Sequence, residues 1–339
     1  MLFKKNTCIL LLLVCFSSFS QDKFTLSGII SDNKTNETLI GVTIIIEELK
    51  TGTATNEYGF YSITLPKGTY SIKISALGYK EIKTTIDLTK NTKNNFSLAA
   101  SEELLEEVIL VDNPNKINIK STEMSVNKLS VSTIKQMPVV LGEVDVLKSI
   151  LTLPGVTNAG EGQSGFNVRG GAVDQNLILL DEATIYNSSH LFGLFSVFNA
   201  DAIKDLKLYK GGIPARYGGR VASVLDIYQK EGNSKSFHAN GGIGLISSRI
   251  LAEGPIVKDR GSFLVGGRSS YAHLFLKLTD INNSAYFYDL NTKLSYKIND
   301  NNNIYLSGYF GRDVFSINNS FVNTYGNSVL NLRWNHLFS

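Results

Sequence analysis

Apolar and polar residues alternate along much of the chain, most strictly in its last third. From Tyr286 to Ile298 the even positions are Tyr286, Tyr288, Leu290, Thr292, Leu294, Tyr296 and Ile298, while the odd positions include Asp289, Asn291, Lys293, Ser295 and Lys297. Leu330, Leu332 and Trp334 alternate in the same way with Asn331, Arg333 and Asn335, and Ile304, Leu306 and Phe310 repeat the habit less strictly. A period of two sends successive side chains to opposite faces, so each run predicts a long strand with one apolar and one polar face. Residues 236–339 therefore predict about five antiparallel strands. Long strands rich in Tyr and Phe suit a lipid-facing band with aromatic girdles around a polar interior, although a soluble sheet with one wet face alternates too.

Residues 24–98 carry shorter β-rich runs at closer spacing: 24–30, 42–47, 58–65, 69–76, 80–87 and 95–98. Turn signals separate them at 31–36, 50–52, Pro66-Lys67-Gly68 and Gly78. Many short strands between turn residues predict an all-β sandwich that is small but able to fold alone. Residues 99–121 read as a linker. It opens with Glu102, Glu103, Glu106 and Glu107, continues as Val108-Ile109-Leu110-Val111, and ends in a stretch rich in Asn and Lys. Taken alone, the four aliphatics read as one more sandwich strand.

Residues 122–231 mix periods. A short helix is expected within 142–154, with Val144, Leu147, Ile150 and Leu151 on one face and Pro154-Gly155 as its stop. Strands are expected at 166–169, 205–209 and 223–228, and a hairpin joins 177–180 to 183–186 around Asp181. Glycine clusters flank these strands, where backbone turns with positive φ or approaches other backbone closely. The fold class expected for the chain is mainly β: a sandwich, a small α+β domain, then the first strands of a transmembrane antiparallel β-barrel.

The N-terminus changes the compartment. Lys4 and Lys5, an apolar core at 9–16 and Ser18-Phe19-Ser20 before Gln21 have the form of a secretory signal over residues 1–20. The apolar core is far shorter than the roughly 20 residues that a spanning helix needs. Both cysteines of the chain, Cys8 and Cys15, fall inside that signal, so the mature chain has no disulfide, thiolate metal site or cysteine nucleophile. The 339 residues carry a formal net charge of +3, with 19% charged residues and no long basic run, so no nucleic-acid partner is expected. Mean hydropathy is +0.01, as expected for strands that are only half apolar.

Two stretches carry resemblances. SGIISDNKTNETLIGVTIII with TATNEYGFYSITLPKGTYSIKISALGYK resembles the carboxypeptidase-regulatory-like domain, an accessory β-sandwich without peptidase chemistry. FNVRGGAVDQNLILLDEATIY and GGIPARYGGRVASVLDI resemble the plug domain of TonB-dependent outer-membrane receptors. Carried onto this chain, the plug motif comprises Arg169, Gly170, Gly171, Asp181, Gly211, Gly212, Arg216 and Gly218, in structural roles. The family usually has Asp-Gly at the hairpin turn, where both positions need positive φ. Asp181-Glu182 stands here, so another turn type or mild strain is expected. The resemblance also makes Glu106, Glu107, Val108, Ile109, Leu110 and Val111 a candidate TonB box, able to bind a partner by adding a strand to a sheet edge.

Other chemistry finds no support. His190, His238, His273 and His336 are far apart and none begins a zinc-peptidase pair. The run from Gly162 to Phe166 lacks the last glycine of a nucleophile elbow, and Gly242-Ile243-Gly244 lacks the third glycine of a dinucleotide loop. Arg169, Arg216 and Arg220 are expected to pair with carboxylates or carbonyls inside the plug or against the barrel wall. No enzyme activity, cofactor or metal is expected.

The resemblance implies a receptor in the cell outer membrane, its N-terminal domain in the periplasm. It would import an external ligand, with a surface lipoprotein as a further candidate partner, using a TonB-type energy-coupling protein. The alternative is a secreted or surface-attached β-modular binding protein without transport. About five strands are fewer than the 8 or so of the smallest single-chain outer-membrane barrel, so the natural protein is expected to continue beyond Ser339.

Overall fold

The computed structural model describes residues 23–101, 125–137, 143–160, 165–271, 273–274, 283–318 and 321–338. The expected signal sequence, residues 1–20, and the candidate TonB box, Glu106 to Val111, lie outside these residues. The chain divides into two compact units, with the boundary near Leu104.

The first unit is a β-sandwich. Its strands are β1 (Lys23–Asp32), β2 (Thr43–Ile46), β3 (Thr51–Ala54), β4 (Phe60–Pro66), β5 (Gly68–Ser75), β6 (Ile82–Leu88), β7 (Thr92–Lys93) and β8 (Phe96–Leu98). One sheet runs β4-β1-β7 with β8 also on β1, and the other runs β3-β2-β5-β6. Alternate residues point inward, so Leu26, Ile30, Ile44, Ile46, Tyr61, Ile72, Ile74 and Leu88 make one buried core. Gly28 lies on β1 where the chain before β8 crosses it; a Cβ there would come 1.8 Å from the Asn94 carbonyl oxygen. The same carbonyl accepts a 2.8 Å hydrogen bond from the Tyr61 hydroxyl. Strands β3 and β7 have no apolar alternation and were not expected from the sequence.

The second unit begins with β9 (Val126–Ser130), α1 (Val131–Gln136), α2 (Val146–Ile150), β10 (Val156–Asn158) and β11 (Phe166–Val168). It continues through β12 (Asn176–Leu180), β13 (Ala183–Thr184), β14 (Ser189–His190), β15 (Phe195–Ser196), β16 (Ile203–Tyr209) and β17 (Ser223–Gln229). The central sheet has the order β13-β12-β17-β16-β9. Strand β17 is parallel to β12 and antiparallel to β16, and all its residues are buried because both faces of the sheet are covered. Ile150, Phe166, Val168, Ile178, Leu206, Leu225 and Ile227 lie in the core formed around it. Helix α2 is the short helix expected within 142–154. The Asp145 side chain caps it by accepting from the N–H groups of Leu147 and Lys148, at 2.9 and 3.0 Å, which sets where it starts.

The rest is an antiparallel meander of β18 (His238–Ile243), β19 (Ser247–Val257), β20 (Gly261–Ser270), β21 (Ser284–Asn299), β22 (Asn302–Ile317) and β23 (Phe321–His336), paired in sequence order. Six strands are described where about five were expected. Its burial pattern is inverted relative to a soluble sheet. The polar residues Asp289, Asn291, Lys293, Ser295, Ser307 and Asp313 are buried, while Leu290, Leu294, Phe310, Leu330, Leu332 and Trp334 are exposed.

Candidate functional site

The inward face of the meander carries charge, and the charge meets the α+β part at several places. The first centres on His190, at the end of β14. Its Nδ1 lies 2.7 Å from Asp313 Oδ2 of β22, and its Nε2 lies 3.1 Å from Asp289 Oδ2 of β21. Tyr309 places its hydroxyl 3.2 Å from the same Nε2, and the imidazole stacks on Phe287 with centroids 4.2 Å apart. Arg268 of β20 donates through Nε to Asp289 Oδ2 at 2.9 Å and through Nη2 to the Ser196 carbonyl at 3.0 Å. Its Nη1 stands 3.5 Å from Glu143 Oε2, and Glu143 accepts from the Ser247 hydroxyl. Burial alone would pull the His190 pKa down; the hydrogen bonds to Asp289 and Asp313 outweigh it and leave the pKa above the ordinary imidazole range.

The backbone after His190 is strained. Leu191 and Phe192 both have positive φ, at 48° and 55°, followed by Gly193 at 94°. Non-glycine residues hold such angles only where surrounding contacts impose them. Here the Leu191 N–H donates to Asp313 Oδ1 at 2.8 Å, and the Phe192 ring packs edge-on against Phe315 with centroids 5.2 Å apart.

The second place is the hairpin turn. Asp181 and Glu182 have φ of 47° and 71°, so the turn keeps the geometry that Asp-Gly would adopt, without the glycine. The strain is held from outside. Asp181 Oδ1 accepts from Lys293 Nζ at 2.9 Å and from the Gln229 N–H at 3.1 Å, and Lys293 also donates to the Gln229 carbonyl at 2.8 Å. At a further contact, Asp201 accepts from Lys135 Nζ at 2.6 Å and from Arg249 Nε of β19 at 2.9 Å. Burial would raise this carboxyl, yet the two cations hold it below the usual carboxylate range.

The residues singled out by the plug motif gather mostly elsewhere. Arg169 has φ of 49° and its Nη2 lies 3.3 Å from Ser125 Oγ, while a Cβ on Gly211 would come 3.0 Å from Arg169 Nη1. Gly170 and Gly212 have positive φ, and a Cβ on Gly171 would lie 2.5 Å from that of Ala222. Gly218 has open space around it; its neighbour Gly219 is the one with positive φ, 80°. Arg216 donates to the Tyr217 hydroxyl at 2.9 Å and lies over that ring. Tyr217 and Tyr228 in turn donate to Asp226, whose carboxyl burial keeps above its ordinary pKa. Arg220 donates to the Gly219 carbonyl at 2.8 Å. Thus Arg169 and Arg216 have hydroxyls among their partners, and Arg220 has a carbonyl.

The His190 network was missed because four scattered histidines were weighed as metal ligands. The signal available was the phase of Arg268, Asp289 and Asp313: charges on the polar face of strands whose other face is apolar. Among the described residues no group of three or more His, Cys, Asp or Glu is arranged to hold a metal. None of the described helices is long and apolar enough to cross a membrane, which says nothing of strands.

Residues 26–110 match the CarboxypepD_reg-like domain, and residues 118–224 match the TonB-dependent receptor plug domain. No curated protein matches the chain significantly. Among solved structures, the siderophore receptor PirA from Pseudomonas aeruginosa is 17% identical, with a TM-score of 0.47 over 65% of this chain and 39% of that one. PirA from Acinetobacter baumannii is 18% identical, with a TM-score of 0.42 over 57% and 32%. The outer membrane transporter YddB from Escherichia coli is 13% identical, with a TM-score of 0.44 over 62% and 36%. The chain thus spans about a third of the length of the structures it resembles. With the two domain matches following one another along residues 26–224, ahead of a meander with a polar inner and an apolar outer face, the chain belongs to the TonB-dependent receptor family.

Proposed function

We propose that this chain is the N-terminal part of an outer-membrane receptor that binds an external ligand and imports it into the periplasm. One observation carries the reading. The meander buries its charged face against the α+β plug and turns its apolar face outward, as a barrel wall in lipid would around a plug. The N-terminal sandwich then lies in the periplasm. The energy comes from a TonB-type protein that pairs with the segment Glu106 to Val111 and pulls on it. Backbone hydrogen bonds along an added strand share such a load. The ligand is captured from outside, with or without a surface lipoprotein.

Cross-linking in cells tests the coupling step. A photoreactive residue at Val108 or Leu110 should cross-link to the energy-coupling protein. Ile109→Pro, which removes a backbone donor and blocks strand addition, should abolish the cross-link while the protein still reaches the outer membrane. Undiminished cross-linking in a correctly inserted Ile109→Pro variant would refute the assignment of this segment.

A further inference from the structure

Both ring nitrogens of His190 face carboxylate oxygens, 2.7 Å from Asp313 and 3.1 Å from Asp289. A neutral imidazole has one N–H and can donate to only one of them; an imidazolium donates to both. The neutral ring has another option here, because the Tyr309 hydroxyl, 3.2 Å from Nε2, can donate to it. The two protonation states therefore differ in which strand His190 grips. The charged ring holds β21 through Asp289 and β22 through Asp313. The neutral ring gives up Asp289 and holds β22 alone.

The surroundings permit both states. Asp289 keeps Arg268 when His190 lets go, so no carboxylate is left buried without a partner. The charged groups facing the ring are Asp289 from β21, Asp313 from β22 and Arg268 from β20; Glu143 stands on the far side of Arg268. Tyr309 and Tyr325 complete the set of titratable neighbours, and Tyr325 accepts from the Phe192 N–H. Two carboxylates against one arginine in direct contact leave an excess negative charge that the imidazolium offsets. The segment this ring secures is the strained one, Leu191-Phe192-Gly193, which Asp313 also holds through the Leu191 N–H.

We propose that His190 is a protonation-controlled latch, which as an imidazolium clamps residues 188–195 to the barrel wall and on losing its proton turns to Tyr309 and slackens that hold. The sign follows from the raised pKa of the folded state. The contribution of the latch is complete below the ordinary imidazole value of about 6.5 and is lost as pH rises through the higher folded value. This goes beyond the import reading and concerns how firmly one plug segment is held. The measurement uses neither ligand nor energy-coupling protein, so its failure and failure of the import reading are separable.

The test is hydrogen exchange of the backbone amides of residues 188–195 in the purified receptor, between about pH 5 and 9 and corrected for intrinsic exchange. Protection should be high on the acid side and fall at least about tenfold through one proton's titration. Asp313→Asn removes a charge that holds the proton and should move that step to lower pH. Tyr309→Phe removes the partner of the neutral ring and should move it to higher pH. His190→Gln should abolish the step. Protection that does not change with pH, a step that survives in His190→Gln, or a midpoint unmoved by both Asp313→Asn and Tyr309→Phe would overturn the proposal. The last two variants decide the matter even where His190→Gln fails to insert.

Discussion

Lys293 Nζ lies 2.9 Å from Asp181 Oδ1 with both side chains buried, so a barrel-strand lysine holds the turn of a plug hairpin. Removing one member of such a pair leaves the other charge in a site without water. Lys293→Met should therefore destabilise the protein by about 3–5 kcal/mol, and the double variant Lys293→Met with Asp181→Asn by clearly less. Urea midpoints of both single variants and the double variant in detergent check this; a double-variant loss equal to the sum of the two single losses would mean that the pair carries no coupling.

The same turn offers the opposite change. Glu182 has φ of 71°, a conformation costing an L-residue about 1–2 kcal/mol that glycine does not incur. Its ion pair with Arg333, at 3.9 Å, involves a partly exposed side chain and contributes little. Glu182→Gly should raise the unfolding midpoint by about 1 kcal/mol in stability terms. A lower midpoint would show that the carboxylate matters more than the backbone.

Asp205, on β16, has its pKa raised from 3.8 to about 6, first by burial, against the pull of Lys207 and other cations. A carboxyl with a raised folded pKa stabilises fully below its unfolded value and loses that contribution as pH rises through about 6. Asp205→Asn should accordingly stabilise the plug by about 1–3 kcal/mol at pH 8 and change little at pH 4. Denaturation of both forms at the two pH values reads the difference, and a gain at pH 4 equal to that at pH 8 would rule out titration as its cause.

Leu330 sits near the middle of β23 and is 76% exposed, opposite Gly308. In lipid, an arginine there should cost about 2–4 kcal/mol and reduce the fraction inserted; in water it would be harmless. Membrane fractionation of Leu330→Arg separates the two, since full solubility and a normal melt for the variant would mean that this face is wet.

The sandwich should melt cooperatively when residues 23–101 are expressed alone, because its core closes on itself. Gly28→Ala would push a methyl into the Asn94 carbonyl and should lower that melting temperature markedly. A non-cooperative melt of the unsubstituted fragment would mean that its core depends on the rest of the chain.

Much of this architecture was legible in the residue pattern, and the reason is physical. Where one face is apolar and the other polar over ten or more residues, as from Tyr286 to Ile298, the strand and its phase follow from alternation alone. Where both faces are covered, as in β17, a run such as Ser223 to Gln229 gives no phase, and its parallel pairing with β12 could not be read. The site was less legible than the fold. His190, Asp289 and Asp313 are 24 to 123 residues apart along the chain, and the pairing of β21 with β22 together with the packing of β14 against them brings them together. The strained turn at Asp181-Glu182 was flagged by its missing glycine. What sustains it, Lys293, lay on a strand whose partner surface no local pattern could name.

The inverted burial of the meander has one more consequence. The seam between plug and wall is lined largely by hydroxyls, amides and paired ions, with apolar contact gathered in small clusters such as Leu191, Phe195 and Phe287, and Ala202, Leu251 and Leu264. If the plug shifts, each hydrogen bond of the seam can be exchanged for one to water, and apolar surface is laid bare only at those clusters. A greasy seam would seal by adhesion and resist parting. A mostly polar one can slide, held by a few ion-pair catches and a few apolar footholds.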